Sequence, residues 1–322
     1  MKKSTAVLLA LATVAIILGG ILFVIAMSAN GWDFSKISTA KPETNSYEFE
    51  GNVTDISMSL DTEDVVFLPS SDGKIKVVCN ESDNLKHSVT LQDGKLNVTR
   101  SDTRKWYNYI FNFTNNKITV YLPTSTYASL NVKADTSDIE LAQGLIFKSI
   151  DVSVSTGKVN CYSDSRESTK ITASTGDVTI ANKTAGSITL KTSTGNINLS
   201  NVVATDVSFS VSTGDASLNN VSCANLITSG STGKINMTGV FVSSGISIER
   251  STGDVSFSAC DAADTAKIYI KTSTGSVKGS FLSDKIFFYD TDTGKVEIPR
   301  TTSGAVCDIK TDTGDIKISI SK

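Results

Sequence analysis

From about residue 130 onward, apolar residues alternate with Ser, Thr, Asn, Asp and Lys in short runs. That period of two is the signature of strands with one buried face. The alternation itself repeats. Ser-Thr-Gly recurs with Gly at positions 157, 176, 195, 214, 233, 253 and 275, and Asp-Thr-Gly continues the series with Gly294 and Gly314. Aligned on the Gly, apolar residues stand seven and five places before it and two and four places after it. Ile188, Leu190, Ile197 and Leu199 form one such set, and Ile246, Ile248, Val255 and Phe257 another. Each unit therefore carries two half-buried strands across a Thr-Gly turn. The stretch between units, such as Ala181 to Gly186, reads as a variable loop.

One such unit cannot bury its apolar face alone, whereas stacked units share a continuous core. The pattern predicts an all-β fold: a β-solenoid with two-strand coils of 19–20 residues. At a strand spacing of about 4.8 Å, ten coils make a rod roughly 45–50 Å long. A β-sandwich is the alternative, but its loops have no reason to repeat in sequence. Asp135-Thr136-Ser137 and Asp61-Thr62-Glu63 are degenerate earlier members of the series. Between them lies an insertion that reads as further strands, at Lys74–Cys79, His87–Leu91, Lys95–Val98 and Lys117–Leu122, with Asp93-Gly94 as a hairpin signal. The chain thus divides into an N-terminal segment 1–32, a linker 33–45, an irregular β cap 46–134 and the regular repeats 135–322.

The N-terminal segment has a different pattern. Ser4 to Trp32 carries no charge, and Ala6 to Met27 is its apolar core. A helix of that length spans roughly 33 Å, enough for a hydrocarbon layer. Lys2 and Lys3 precede it and bias the N-terminus towards the cytoplasm, with the β domain outside. The run is longer than an ordinary signal peptide, which favours an uncleaved single-pass anchor in the cell membrane. Ala26-Met27-Ser28 keeps cleavage open as an alternative.

Composition narrows the chemistry. The formal net charge of −3 supplies no basic field, so no nucleic-acid partner is expected. A single His, no CxxC pair and five scattered Cys give no catalytic, metal or cofactor motif, and the Cys read as small buried residues. The residue after each Gly alternates in sign between coils, as in Lys158 beside Asp177 and Asp215 beside Lys234. That pattern reads as weak charge pairing and argues against a calcium ladder. The Thr before each Gly reads as turn chemistry, its hydroxyl bonding local backbone. Two interaction candidates remain. Trp106, Tyr107, Tyr109, Phe111 and Phe113 belong to an aromatic segment that packs the cap or faces a protein, glycan or lipid surface. Lys317 lies on the final strand, whose edge is expected to be open to a strand from another chain.

An N-terminal anchor, the Tyr121-Leu122-Pro123 segment and serial S/D-T-G-D/K-V/I repeats resemble the bacterial putative-adhesin family of repetitive β-domains. The resemblance spans about residues 45–320. It implies a membrane-attached or envelope-exposed β-repeat protein of the Gram-positive type and brings no catalytic residues. The expected function is non-enzymatic: an adhesin-like interaction or envelope-associated scaffold, with a protein or glycan partner. One alternative is an envelope-stress signalling partner of another membrane protein. The other is a polysaccharide-active β-helix enzyme, which a cleft lined by several Asp or Glu would favour.

Overall fold

The computed structural model describes residues 3–33, 42–82, 85–102 and 116–321. Helix α1 (Lys3–Ala29) is apolar and uncharged from Ser4 to Ala29, with an 18-residue stretch of mean hydropathy 2.9 of which none is buried. It is long and apolar enough to cross a membrane, as a single-pass anchor or a signal sequence does. The remainder of the described chain is a β-solenoid of about ten coils.

Nine strands build its first part: β1 (Pro42–Phe49), β2 (Asp55–Ser59), β3 (Asp64–Pro69), β4 (Ile75–Ser82), β5 (Leu85–Gln92), β6 (Lys95–Asp102), β7 (Lys117–Leu122), β8 (Thr126–Thr136) and β9 (Ile139–Leu141). Strands β10 to β18 fill residues 146–262, and β19 (Lys267–Thr274), β20 (Val277–Phe281), β21 (Lys285–Thr293), β22 (Val296–Glu297), β23 (Ala305–Thr313) and β24 (Ile316–Ile320) complete it. The central coils stack in parallel with the repeat register that the sequence predicts. Ile197 pairs with Val178 on one side and Ala216 on the other. Ile188, Leu190, Ile197 and Leu199 are all buried, while Asn196 and Asn198 face solvent.

The stretch read as a variable loop is ordered strand. Each central coil bends again at an Asn in left-handed conformation, with φ of 51° at Asn182, 52° at Asn201 and 54° at Asn220. Asn tolerates that region because its short polar side chain bonds locally. Here the amides bond to each other: Asn201 Nδ2 donates to Asn182 Oδ1 at 2.9 Å, and Asn220 Nδ2 to Asn201 Oδ1 at 3.1 Å. The run after the bend turns further side chains inward, Val202 and Ala204 among them.

Two expectations about the turns change. Where the residue after the turn position is Asp, its side chain accepts the backbone N–H of the equivalent residue in the next coil. Lys158 N–H donates to Asp138 Oδ1 at 2.7 Å, Asn196 N–H to Asp177 Oδ1 at 2.8 Å and Lys234 N–H to Asp215 Oδ1 at 2.7 Å. Each carboxylate thus satisfies an amide of the next coil, and a charge-assisted bond of this kind outweighs an exposed ion pair. The hydroxyls that bond the turn backbone belong mostly to the Thr three places before the Gly. Thr272 Oγ1 donates to the Gly253 carbonyl at 3.0 Å, and Thr311 Oγ1 to that of Gly275 at 2.9 Å. Among the described residues, the Thr directly before the Gly makes such a bond only at Thr293.

Both ends of the stack depart from sequence order. At the C-terminal side β23 lies between β19 and β21, and β24 between β20 and β22. At the N-terminal side β2 lies between β6 and β8, and β3 between β7 and β9. Beyond β7 the pairing becomes antiparallel, through β4 to β1, and β5 adds antiparallel to β6. Asp93 and Gly94, both with positive φ, join β5 to β6 as a hairpin.

Candidate functional site

Of the residues singled out in the sequence, Trp106, Tyr107, Tyr109, Phe111 and Phe113 lie outside the described residues. Lys317 is described, and the edge expected at it is elsewhere. Its strand β24 is paired on both sides, with Lys317 opposite Lys278 on β20 and Glu297 on β22. Its ammonium meets the Glu297 carboxylate at 2.8 Å. Three successive turns of similar sequence can stack in more than one order, and periodicity does not encode which lies outermost.

The outermost coil is β21–β22. Phe287, Tyr289, Val296 and Ile298 occupy the four inward positions of the repeat, yet among the described residues no further coil covers them. Phe287, Val296 and Ile298 are only partly buried and Tyr289 is 55% exposed. They line a concavity of about 390 Å³, which Pro299, Arg300 and Thr301 complete. Phe288 adds an aromatic ring to the outer face at 58% exposure. The edges of β21 and β22 that no described strand pairs border this apolar floor. Such an edge accepts a strand or a flat apolar surface.

At the start of β21 sits a buried cation. Lys285 is fully buried, and its Nζ donates to Asp261 Oδ1 at 2.7 Å and to the carbonyls of Ser283 and Asp284 at 3.3 and 3.2 Å. Burial works against the charge of Asp261, but Lys285 and Ser283 outweigh it and hold its pKa below the usual carboxylate value. Lys285→Met therefore removes the partner of a part-buried carboxylate, at a cost of about 2 kcal/mol, which thermal melting reads. The sign of the pH effect follows from the depressed pKa. The pair's contribution is present above the ordinary carboxylate range and fades as pH falls through the folded value. The variant lacks that fraction of the acid dependence.

The opposite end holds a buried ionic cluster. Glu63 takes the place of the repeat Gly at the β2–β3 turn. Its side chain turns inward, and Oε2 accepts the N–H groups of Asp61 and Thr62 at 2.9 and 3.1 Å. Glu81 from β4 accepts the His87 N–H at 2.6 Å and faces His87 Nδ1 at 2.9 Å, both through Oε1. Its other oxygen accepts Asn45 Nδ2 at 2.6 Å. His87 Nε2 lies 3.5 Å from Glu63 Oε1, and Arg100 from β6 bonds Asp61 and approaches Glu63. Burial disfavours the imidazolium, but Glu63 and Glu81 outweigh that and raise the pKa of His87 above its ordinary value.

The cysteines are all free and buried, and burial pushes the thiols of Cys79, Cys223 and Cys307 up to about 12. These thiols are protonated at neutral pH and are not nucleophiles. Arg250 enters the core at an inward position where the preceding coil has Gly230. A Cβ on Gly230 would lie 1.7 Å from Arg250 Nη1, so the absent side chain makes room for the guanidinium. Arg250 Nη1 donates to the Val211 carbonyl at 3.1 Å.

The described strands from Pro42 to Ile320 form a parallel stack of Thr-Gly turns with antiparallel strands at one end, and the Toastrack DUF4097 model matches residues 53–319. The chain belongs to the Toastrack DUF4097 family. No curated protein matches it. Among solved structures, this Toastrack chain is similar to a putative adhesin from Bacteroides fragilis, at 16% identity over 88% of this chain and 99% of that one, with a TM-score of 0.42. It is similar to a putative adhesin from Parabacteroides distasonis, at 12% identity over 87% and 98%, with a TM-score of 0.46. A putative lipid binding protein from the same organism matches at 13% identity over 88% and 98%, with a TM-score of 0.31.

Proposed function

We propose that this Toastrack protein is a non-enzymatic, membrane-anchored extracytoplasmic rod that acts as an adhesin-like interaction module or envelope scaffold, docking a partner on its outermost coil. The observation that carries this reading is the uncovered end of the core, where Tyr289 and Phe288 are exposed beside two strand edges. A solenoid that meets only solvent has reason to close such an end.

Two measurements test it. Phe288→Asp combined with Tyr289→Asp changes side chains that already face water, so folding is retained. Recovery of cross-linked partner from the protein's own membrane drops at least about tenfold, as expected for losing an aromatic anchor. Ser153→Asp, on the side of the rod, leaves recovery unchanged. Undiminished recovery in the folded double variant removes this end as the contact. For topology, protease added to intact spheroplasts digests residues 33–322, because Lys2 and Lys3 hold the N-terminus inside. Protection of that region overturns the orientation, and release of the domain into the medium indicates cleavage near Ser28.

The aromatic segment with Trp106, Tyr107, Tyr109, Phe111 and Phe113 is a second proposed contact, on the membrane side. Pro42 pairs with Ser82, Ser82 with Leu85 and Leu85 with Asp102. Pro42, where the anchor's linker ends, and Asp102, after which the aromatic segment begins, therefore share one register row.

A further inference from the structure

Cys79, Glu81 and His87 bring a thiol, a carboxylate and an imidazole together in the interior, with one ligand atom of each within 4.8 Å of the other two. We propose that these three residues form a zinc site that clips the N-terminal end of the rod, with Glu63 orienting the imidazole from behind. The donor set of S, N and O is the one zinc prefers, at about 2.0–2.3 Å from the ion. The Nδ1 to Oε1 separation of 2.9 Å is a hydrogen-bond distance, about 0.4 Å short of the spacing of two donors on one tetrahedral ion, so the pair has to spread slightly to admit one. A small outward shift of Glu81 and Cys79 completes three of four positions.

An independent observation points the same way. His87 Nε2 and Glu63 Oε1 are both buried without a hydrogen-bond partner, and they face each other at 3.5 Å. A ligating His usually donates its second ring N–H to a carboxylate, which fixes the ring and strengthens the ligand. Glu63 stands where that carboxylate belongs, and its other oxygen is pinned by two backbone amides. Thiolate and Glu81 balance the divalent ion, while Arg100 is shared between Asp61, which it bonds directly, and Glu63 at 3.7 Å. On binding, the Cys79 thiol and the Nδ1–H of the His87 imidazolium each give a proton to solvent, and His87 ligates through Nδ1 as the neutral imidazole with its Nε2–H towards Glu63.

The location gives the site a purpose. Strand β4 continues one side of the rod through β7, and β5 continues the other through β6. A single register pair, Ser82 with Leu85, joins β4 to β5. Zinc held by Cys79 and Glu81 from β4 and His87 from β5 ties those two flaps together.

Cobalt substitution on the full-length protein in detergent, reduced and freed of metal, tests the assignment. One equivalent of Co²⁺ is expected to bind and to give a near-ultraviolet thiolate-to-cobalt band that Zn²⁺ abolishes. Cys79→Ser loses the band and Cys161→Ser keeps it. Glu63→Gln keeps the band but weakens Co²⁺ affinity roughly 10–100-fold. His87 is the one histidine in the chain, so its ring resonances report ligation directly even where a Cys79 variant does not fold. Co²⁺ shifts them strongly in the unsubstituted protein. A band that survives Cys79→Ser, an unshifted His87 ring, or no stoichiometric uptake overturns the proposal.

Discussion

Gly195→Ala unfolds the solenoid at much lower denaturant than the parent chain, with a loss of about 4 kcal/mol or more. Gly195 has φ of 141°, a region closed to L side chains, and a Cβ there would sit 2.1 Å from the Gly176 carbonyl oxygen. That oxygen belongs to the backbone of the coil below and has nowhere to retreat, because the turns stack along the rod. The informative comparison is Gly73→Ala. Gly73 also has positive φ, at 74°, but no atom lies within 4 Å of the place its methyl group would take. It loses only about 1 kcal/mol, the conformational part. Urea melts of the two variants separate the backbone term from the stacking term. Equal midpoints would show that the turns do not approach each other so closely.

Ile197→Asp is the second large effect. Ile197 has no exposed surface and packs between Val178 and Ala216 in the middle of the stack. A carboxylate there has no partner, and the cost is several kcal/mol at neutral pH. The loss shrinks as the solution is acidified, because a buried, unpartnered carboxyl holds its proton to a higher pH than in the unfolded chain. Asn198→Asp, one residue away and facing water between Thr179 and Ser217, changes stability by a few tenths of a kcal/mol at most. Matching melting temperatures for the two variants would show that the inward register is shifted by one.

Ile197 was readable from sequence because strand burial has a period of two and every coil repeats it. The same argument covers the four inward positions throughout the central coils. It does not cover what breaks the repeat. The bend at Asn182, Asn201 and Asn220 depends on amides bonding between coils, and three Asn spaced nineteen apart are visible only once that partner is known. Arg250 occupies an inward position only because Gly230, one coil earlier, vacates the space. Cys79, Glu81 and His87 follow no metal-binding spacing. They meet because β4 and β5 run antiparallel and Glu63 replaces a turn glycine. The position of Lys317 inside the ladder follows from coil order, on which the repeat pattern is silent.

That coil order has a consequence for how the chain is assembled. A simple solenoid grows like a stack of plates, each coil docking on the one made just before it. Here residues 285–297 emerge before the strands they rest on, which lie at 305–320. The outermost coil must wait, unsupported, until the later segment has slid beneath it onto β19 and β20. At the other end β2 and β3 wait likewise for β6 to β9. Each terminus is thus a two-step latch, in which long-range pairing replaces nearest-neighbour growth and slows closure. A molecule that loses 305–320 loses two coils rather than one, so fraying from this end is cooperative where an ordinary repeat array would peel.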